Sequence, residues 1–230
     1  MYQKHKMFIV LRKNHVLLIF ILTFFVTAFS QNKPDSVQYS IDFKFNDGLF
    51  ITFDQVLANQ AIPYKNIITS ENYLDDFFIT KVVAQKKIKF FFKGQKTEIE
   101  TKNIWGYATN GVLYIQHMNK FYRIPSIGKI SFFIATEEVK YQTQVDPWNM
   151  NYYDPYNTTT RTSTELHKYL IDFENGTLYD YSIQNIATLI QSDSTLFEEF
   201  TALKKRKRKQ MAFIYLRRFN DKNSLYFPTY

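Results

Sequence analysis

Residues 104–124 read IWGYATNGVLYIQHMNKFYRI, and this stretch decides the fold. Ile104–Ala108 and Val112–His117 flank Thr109-Asn110-Gly111, and Met118-Asn119-Lys120 separates the second run from Phe121–Ile124. Asn-Gly supplies two residues that tolerate positive φ, which a tight hairpin turn requires. Upstream, Ile88–Lys93 is followed by Gly94-Gln95 and then Thr97–Glu100. Downstream, Pro125-Ser126-Ile127-Gly128 leads into Lys129–Thr136. Strand-like runs at this spacing, with turn residues between them, predict an antiparallel meander.

Further out, Tyr39, Ile41, Phe43 and Phe45 alternate with Ser40, Asp42 and Lys44. With Asn46-Asp47-Gly48 as a turn and Leu49, Ile51 and Phe53 returning, Tyr39–Phe53 reads as another hairpin. Asp54 is placed to cap a short helix to about Asn59, which Pro63 closes. In Ile67–Ala84, Ser70-Glu71-Asn72-Tyr73 can cap a helix, while Phe77–Val83 looks extended. Lys140–Thr164 is rich in Pro, Asn and Thr and is expected to be a long loop. Tyr169–Tyr181 reads as a second hairpin turning at Asn175-Gly176, similar enough to the first to raise an internal repeat. Ser182–Gln191 carries Ile183, Ile186, Ala187 and Ile190 on one helical face. A second helix, capped from Ser192, Asp193 or Ser194, is expected over about Thr195–Phe219. Its expected apolar faces are Leu196, Phe200 and Leu203 early, and Met211, Ile214, Tyr215 and Phe219 late.

The chain of 230 residues carries 17 Tyr, 23 Phe and 2 Trp, no Cys and only 6 Gly. Without cysteine, disulfide scaffolds, zinc fingers, iron–sulfur clusters and thiol nucleophiles are excluded. Glycine scarcity argues against phosphate-cradling loops, and the aromatic excess against disorder. Phe43, Phe45, Tyr114, Phe132 and Phe133 are expected in the core.

Met1–Ser30 has a basic front (Lys4, Lys6, Arg12, Lys13), an apolar run Val16–Phe29, and Ala28-Phe29-Ser30 before Gln31. That is the layout of a secretory signal cleaved between Ser30 and Gln31. The competing reading, a retained anchor, falls short of the roughly 20 apolar residues a span needs. The expectation is export to the periplasm, cell envelope or exterior. Residues 31–230 then form a single α+β domain, β-rich over 39–181 and helical over 182–220. Its antiparallel meander sheet has an aromatic core packed by the C-terminal helices. The charge is segregated: residues 1–30 hold four basic and no acidic residues, 31–203 hold 16 basic and 20 acidic, and 204–230 hold nine basic and one acidic.

Lys204, Lys205, Arg206, Lys207, Arg208 and Lys209 are six consecutive cations. One reading is a solvated bridge between two apolar stretches. The functional reading is a contact for anionic lipid headgroups or envelope glycans. An exported chain does not meet nucleic acid. Trp148, Tyr152, Tyr153 and Tyr156 sit in the expected loop and suit stacking on a sugar, or else fold back over one end of the sheet. The histidines beyond the signal, His117 and His167, read as surface or satisfied groups. The doublets Asp75-Asp76, Glu137-Glu138 and Glu198-Glu199 do not make acid–base pairs, because adjacent strand residues face opposite ways. No metal, cofactor or catalytic motif is visible, and no enzymatic activity is expected.

Ile104–Tyr107, Gly111–Ile115, Phe121–Ile124, Ile127-Gly128 and Ser131-Phe132-Phe133 together resemble a family of exported proteins of Bacteroidota that carries no assigned activity. Asn46–Gln55 and the end, Leu196–Phe200 followed by basic residues and Tyr215–Asn220, resemble it too. The resemblance implies a bacterial envelope location and carries no functional residue.

Overall fold

The computed structural model of the chain describes residues 35–143 and 159–228, and the expected signal Met1–Ser30 lies outside them. Three two-residue turns organise the β-rich part. β4 (Lys87–Phe92) and β5 (Gln95–Glu100) close at Lys93-Gly94, and β6 (Gly106–Thr109) and β7 (Val112–His117) at Asn110-Gly111. β7 and β8 (Lys120–Arg123) close at Met118-Asn119. All six turn residues have positive φ, between 48° and 78°. This is the turn whose twist matches that of the flanking strands. Met118 accepts a conformation that disfavours ordinary side chains, and it projects into solvent.

β1 (Ser36–Gln38) pairs with the last strand, β12 (Tyr226–Pro228). β2 (Gly48–Phe50) joins β6, β7 and β8 in a four-stranded sheet, and β3 (Ile67–Ile68) joins β4 and β5. β9 (Ile130–Thr143) and β10 (Thr159–Asp172) form a long hairpin, which β11 (Leu178–Asp180) extends to three strands. Among the described residues every strand pair is antiparallel, so the class is α+β, with the strands divided among four sheets rather than one. The hairpin turning at Asn175-Gly176 is present as β10–β11.

The expected Tyr39–Phe53 hairpin does not form. Its turn residues are engaged elsewhere: Asp47 accepts from the Gly111 amide (2.9 Å), and Asn46 exchanges bonds with Asn59 (2.8 and 2.7 Å). Residues 39–47 cross the core irregularly, sending Phe45 inward, while Gly48 opens β2 with φ 146°. A Cβ there would stand 2.2 Å from the Ile62 carbonyl oxygen, so the glycine serves a close backbone approach, not a turn. With one of its two hairpins absent, the internal repeat has no structural counterpart. The short helix α1 (Phe53–Leu57) is present but capped by Thr52 in a capping box with Gln55, two residues before the expected Asp54.

Phe77–Val83 is not extended: α2 (Phe78–Val83) buries Phe78, Ile79 and Val82 on one face. Burial outweighs the weak helix propensity of its β-branched residues. Within the expected loop over 140–164, Lys140–Thr143 and Thr159–Thr164 are paired strand instead, and residues 144–158 lie outside the described ones.

The helices are α3 (Ile183–Ile190), α4 (Ser194–Ala202) and α5 (Lys205–Lys222). Ser182 caps α3 and Asp193 caps α4. The single helix expected over Thr195–Phe219 is broken at Leu203 and Lys204, both extended, with ψ 145° and 147°. Had it continued, Glu199 and Arg218 would lie about 28 Å apart at 1.5 Å per residue. They are 2.7 Å apart, because α5 folds back along α4. Lys222 reaches Asp193 at 2.9 Å, and the rings of Phe200 and Tyr215 meet at 5.0 Å.

Among the described residues, three apolar clusters fill the interior. One gathers Phe45, Phe50, Ile115, Phe133, Phe173 and Phe227, and a second gathers Leu49, Ile79, Val82, Ile88, Phe90 and Tyr107. The third packs α3, α4 and α5 on Ile130 and Leu170 at the base of the long hairpin. Phe227 stacks on Phe43 at 4.7 Å and meets Phe45 edge-on at 5.2 Å. Of the aromatics expected in the core, Phe45 and Phe133 are buried, while Phe43, Tyr114 and Phe132 are half-buried at its margin.

Candidate functional site

The break at Leu203–Lys204 moves the cationic run from the middle of a helix to the start of one. Lys204 occupies the N-cap of α5 without a side-chain hydrogen bond, and the first turn contains no acid. Lys204, Lys205, Arg206, Lys207 and Lys209 are exposed, and Arg208 is half-buried. The Arg208 Nε is shielded from water without a hydrogen-bond partner. Cations at this end oppose the helix dipole. Among the described residues, none of Lys204–Lys209 has a carboxylate within 4 Å, whereas the later cations Arg217, Arg218 and Lys222 each have one.

The buried stripe of α5 is Ala212, Tyr215, Leu216 and Phe219. Of the expected Met211, Ile214, Tyr215 and Phe219, Tyr215 and Phe219 belong to this stripe and Met211 is partly buried against the same cluster, while Ile214 falls outside it. Ile214 therefore points outward at 45% exposure, beside Phe213 at 50%. Asn220 anchors the far end of α5 to β9, accepting from the Ile130 amide (2.9 Å) and donating to its carbonyl (2.8 Å). Beside that anchor, an open cleft of about 590 Å³ runs between Gln38–Ile41, Pro125–Gly128 and the Phe213–Asp221 side of α5.

A second constellation lies on the other face of the long hairpin. Glu137 and Glu165 are direct cross-strand partners. Like charges so placed repel, and each is compensated: Tyr169 donates its hydroxyl to Glu137, and Tyr141 donates to Glu165. The Tyr169 hydroxyl is pushed up to about 12, first by that hydrogen bond to a carboxylate and then by burial. His167 Nε2 lies 3.4 Å from Glu165 in an electrostatic contact without hydrogen-bond geometry. His117 packs its ring 4.5 Å from Tyr169 and 5.6 Å from Phe133. Burial pulls its imidazole below the ordinary range, while Glu137 and Asp180 act in the opposite sense. The structure thus brings Glu137, His117 and Tyr169 together, which the sequence did not foretell. Glu137 and Glu138 are on opposite faces of β9, as alternation requires. Among the described residues, no three His, Asp or Glu side chains converge to hold a metal ion.

The expected stacking residues Trp148, Tyr152, Tyr153 and Tyr156 lie outside the described residues. Among the described residues, no helix is long and apolar enough to cross a membrane. Comparison with known proteins finds no matching family model, no matching curated protein and no matching solved structure.

Proposed function

We propose that the chain is an exported, non-catalytic module of the bacterial cell envelope that docks to a polyanionic partner through Lys204–Lys209. One observation carries the reading: six consecutive cations occupy the start of α5 with no acidic partner among the described residues, five of them exposed. Intramolecular physics gives this turn no benefit, since its charges repel each other and oppose the helix dipole. A phosphate- or carboxylate-bearing surface reverses that balance, each cation contributing about 1 kcal/mol near an anionic membrane. The export layout of Met1–Ser30 and the resemblance to exported proteins of Bacteroidota support the envelope setting.

The test replaces Lys204, Lys205, Arg206, Lys207, Arg208 and Lys209 with glutamine. Wild-type protein is expected to bind phosphatidylglycerol vesicles or soluble alginate, with affinity falling steeply as salt rises. The variant is expected to bind neither. Equal binding by both proteins would refute the reading.

A further inference from the structure

The outer strip of α5 is not uniformly charged. Arg206, Gln210, Phe213, Ile214 and Arg217 follow at i, i+4, i+7, i+8 and i+11, so they adjoin on one side of the helix. Phe213 and Ile214, half exposed, sit between the cationic turn and Arg217. Phe213 rests edge-on against Phe132 of β9 at 5.4 Å. Two residues beyond Phe132 on that face of the hairpin, Ile134 is 42% exposed, and the neighbouring β10 residue Leu166 is 73% exposed. Lys168, paired with Ile134, and Lys140 further along the same face flank them, with Glu138 between. Four bulky apolar side chains, two on α5 and two on the hairpin face it packs against, thus stand in water among cations.

We propose that the polyanionic partner is a membrane with anionic headgroups, on which α5 lies with Phe213 and Ile214 entering the headgroup–acyl boundary. Leu166 and Ile134 follow them from the hairpin. The inference rests on the docking reading of Lys204–Lys209. A soluble acidic glycan satisfies the cations but leaves the apolar side chains hydrated. An interface takes both, cations at headgroup level and apolar groups about 5–10 Å deeper. The charge complementarity comes from the unpaired run itself, while Arg217, 4.0 Å from Asp221, is the only cation of the strip with an acidic neighbour among the described residues. The buried stripe of Ala212, Tyr215, Leu216 and Phe219 is fully used inside the protein, so Phe213 and Ile214 are free to act outside it.

The test uses the full chain from Gln31 onward, with Phe213→Ser/Ile214→Ser, the six-glutamine variant and Phe213→Trp. The probes are mixed phosphatidylcholine–phosphatidylglycerol vesicles and, separately, soluble alginate. The serine pair is expected to weaken vesicle binding by roughly tenfold or more, as half of two large apolar surfaces is lost, while alginate binding is unchanged. Measured as the difference from wild type, whose Trp105 and Trp148 also emit, Phe213→Trp is expected to shift emission to the blue on adding vesicles and not on adding alginate. Far-ultraviolet circular dichroism checks that each variant is folded. Wild-type vesicle affinity in the serine pair, or a Phe213→Trp emission that vesicles leave unmoved, would overturn the insertion and leave the docking reading standing. Undiminished binding by the six-glutamine variant would overturn the docking reading itself.

Discussion

If the start of α5 is kept for a partner, it should be a cost to the isolated protein, and removing that cost should raise stability. Lys205, Arg206 and Lys207 lie in the first turn, with no acid and no side-chain cap to offset them. A cation there opposes the helix dipole by about 0.3–1 kcal/mol. Lys205 also faces Arg208 and Lys209, and Arg206 faces Lys209, at spacings where like charges cost about 0.2–0.5 kcal/mol per pair. The triple change Lys205→Gln, Arg206→Gln, Lys207→Gln removes three dipole conflicts and three repulsive pairs while keeping similar helix propensity. Allowing for screening and for partial non-additivity, the expected gain is about 1–3 kcal/mol. For a domain of this size each kcal/mol moves the midpoint by about 2–4 °C. Urea and thermal unfolding at low and high salt measure it. Salt should stabilise the wild type more than the variant, because the Debye length shrinks from about 10 Å at 0.1 M to about 3 Å at 1 M. A variant less stable than wild type at low salt would refute the reasoning, since the three cations would then be holding the fold.

Phe227→Ala should cost about 3–5 kcal/mol, because the ring is fully buried against Phe43 and Phe45 and β12 secures β1. A urea-derived loss under about 1 kcal/mol would mean the core closes without that ring. Asn220→Ala should cost about 1–3 kcal/mol by leaving both main-chain groups of Ile130 unpaired, and amide hydrogen exchange at Ile130 should quicken; unchanged protection would count against the anchor. His117 is held below its ordinary value of about 6.5, so the unfolded chain binds its proton first as pH falls. Its contribution is full above that value and declines as pH drops towards the lower folded value. His117→Gln should flatten the stability change between neutral and mildly acidic pH, and an unaltered slope would exclude His117 as its source.

Much of the fold was legible where local chemistry and tertiary structure agree. Asn110-Gly111 turns because both residues accept positive φ, and Ser182 caps α3 because its hydroxyl accepts from the Asn185 amide. The failures share a cause: the same local signal served a distant partner. Asp47-Gly48 is a good turn sequence, yet Asp47 is held by Gly111 and Gly48 by Ile62, both remote in sequence. Phe77–Val83 has strand-like composition, yet its burial pattern is helical, and only packing against Ile88 and Tyr107 decides between them. At Leu203 the sequence holds no proline or glycine, so nothing local announces the break. It follows from what α5 meets on folding back: Glu199 and Asp193 as ion partners and Phe200 as a ring contact.

The same break explains why the charge layout read from the sequence becomes directional in three dimensions. Residues 204–230 hold nine cations against one acid, yet those cations do not act alike. Arg218 and Lys222 are neutralised by Glu199 and Asp193, and Arg217 lies near Asp221. The surplus therefore reduces to Lys204–Lys209, within about two turns of one helix, set against residues 31–203, where acids outnumber bases 20 to 16. A positive pole on a mildly negative body turns itself towards an anionic surface and holds the rest of the body off it. Had the predicted continuous helix formed, Phe213 and Ile214 would have no fixed relation to the hairpin. Folding α5 back seats Phe213 on Phe132, so the pole and its exposed apolar residues share one side of the protein. Orientation by charge and retention by apolar contact then become separable, which is why glutamine at Lys204–Lys209 and serine at Phe213 and Ile214 should fail differently: the first in salt-dependent capture, the second in residence once bound.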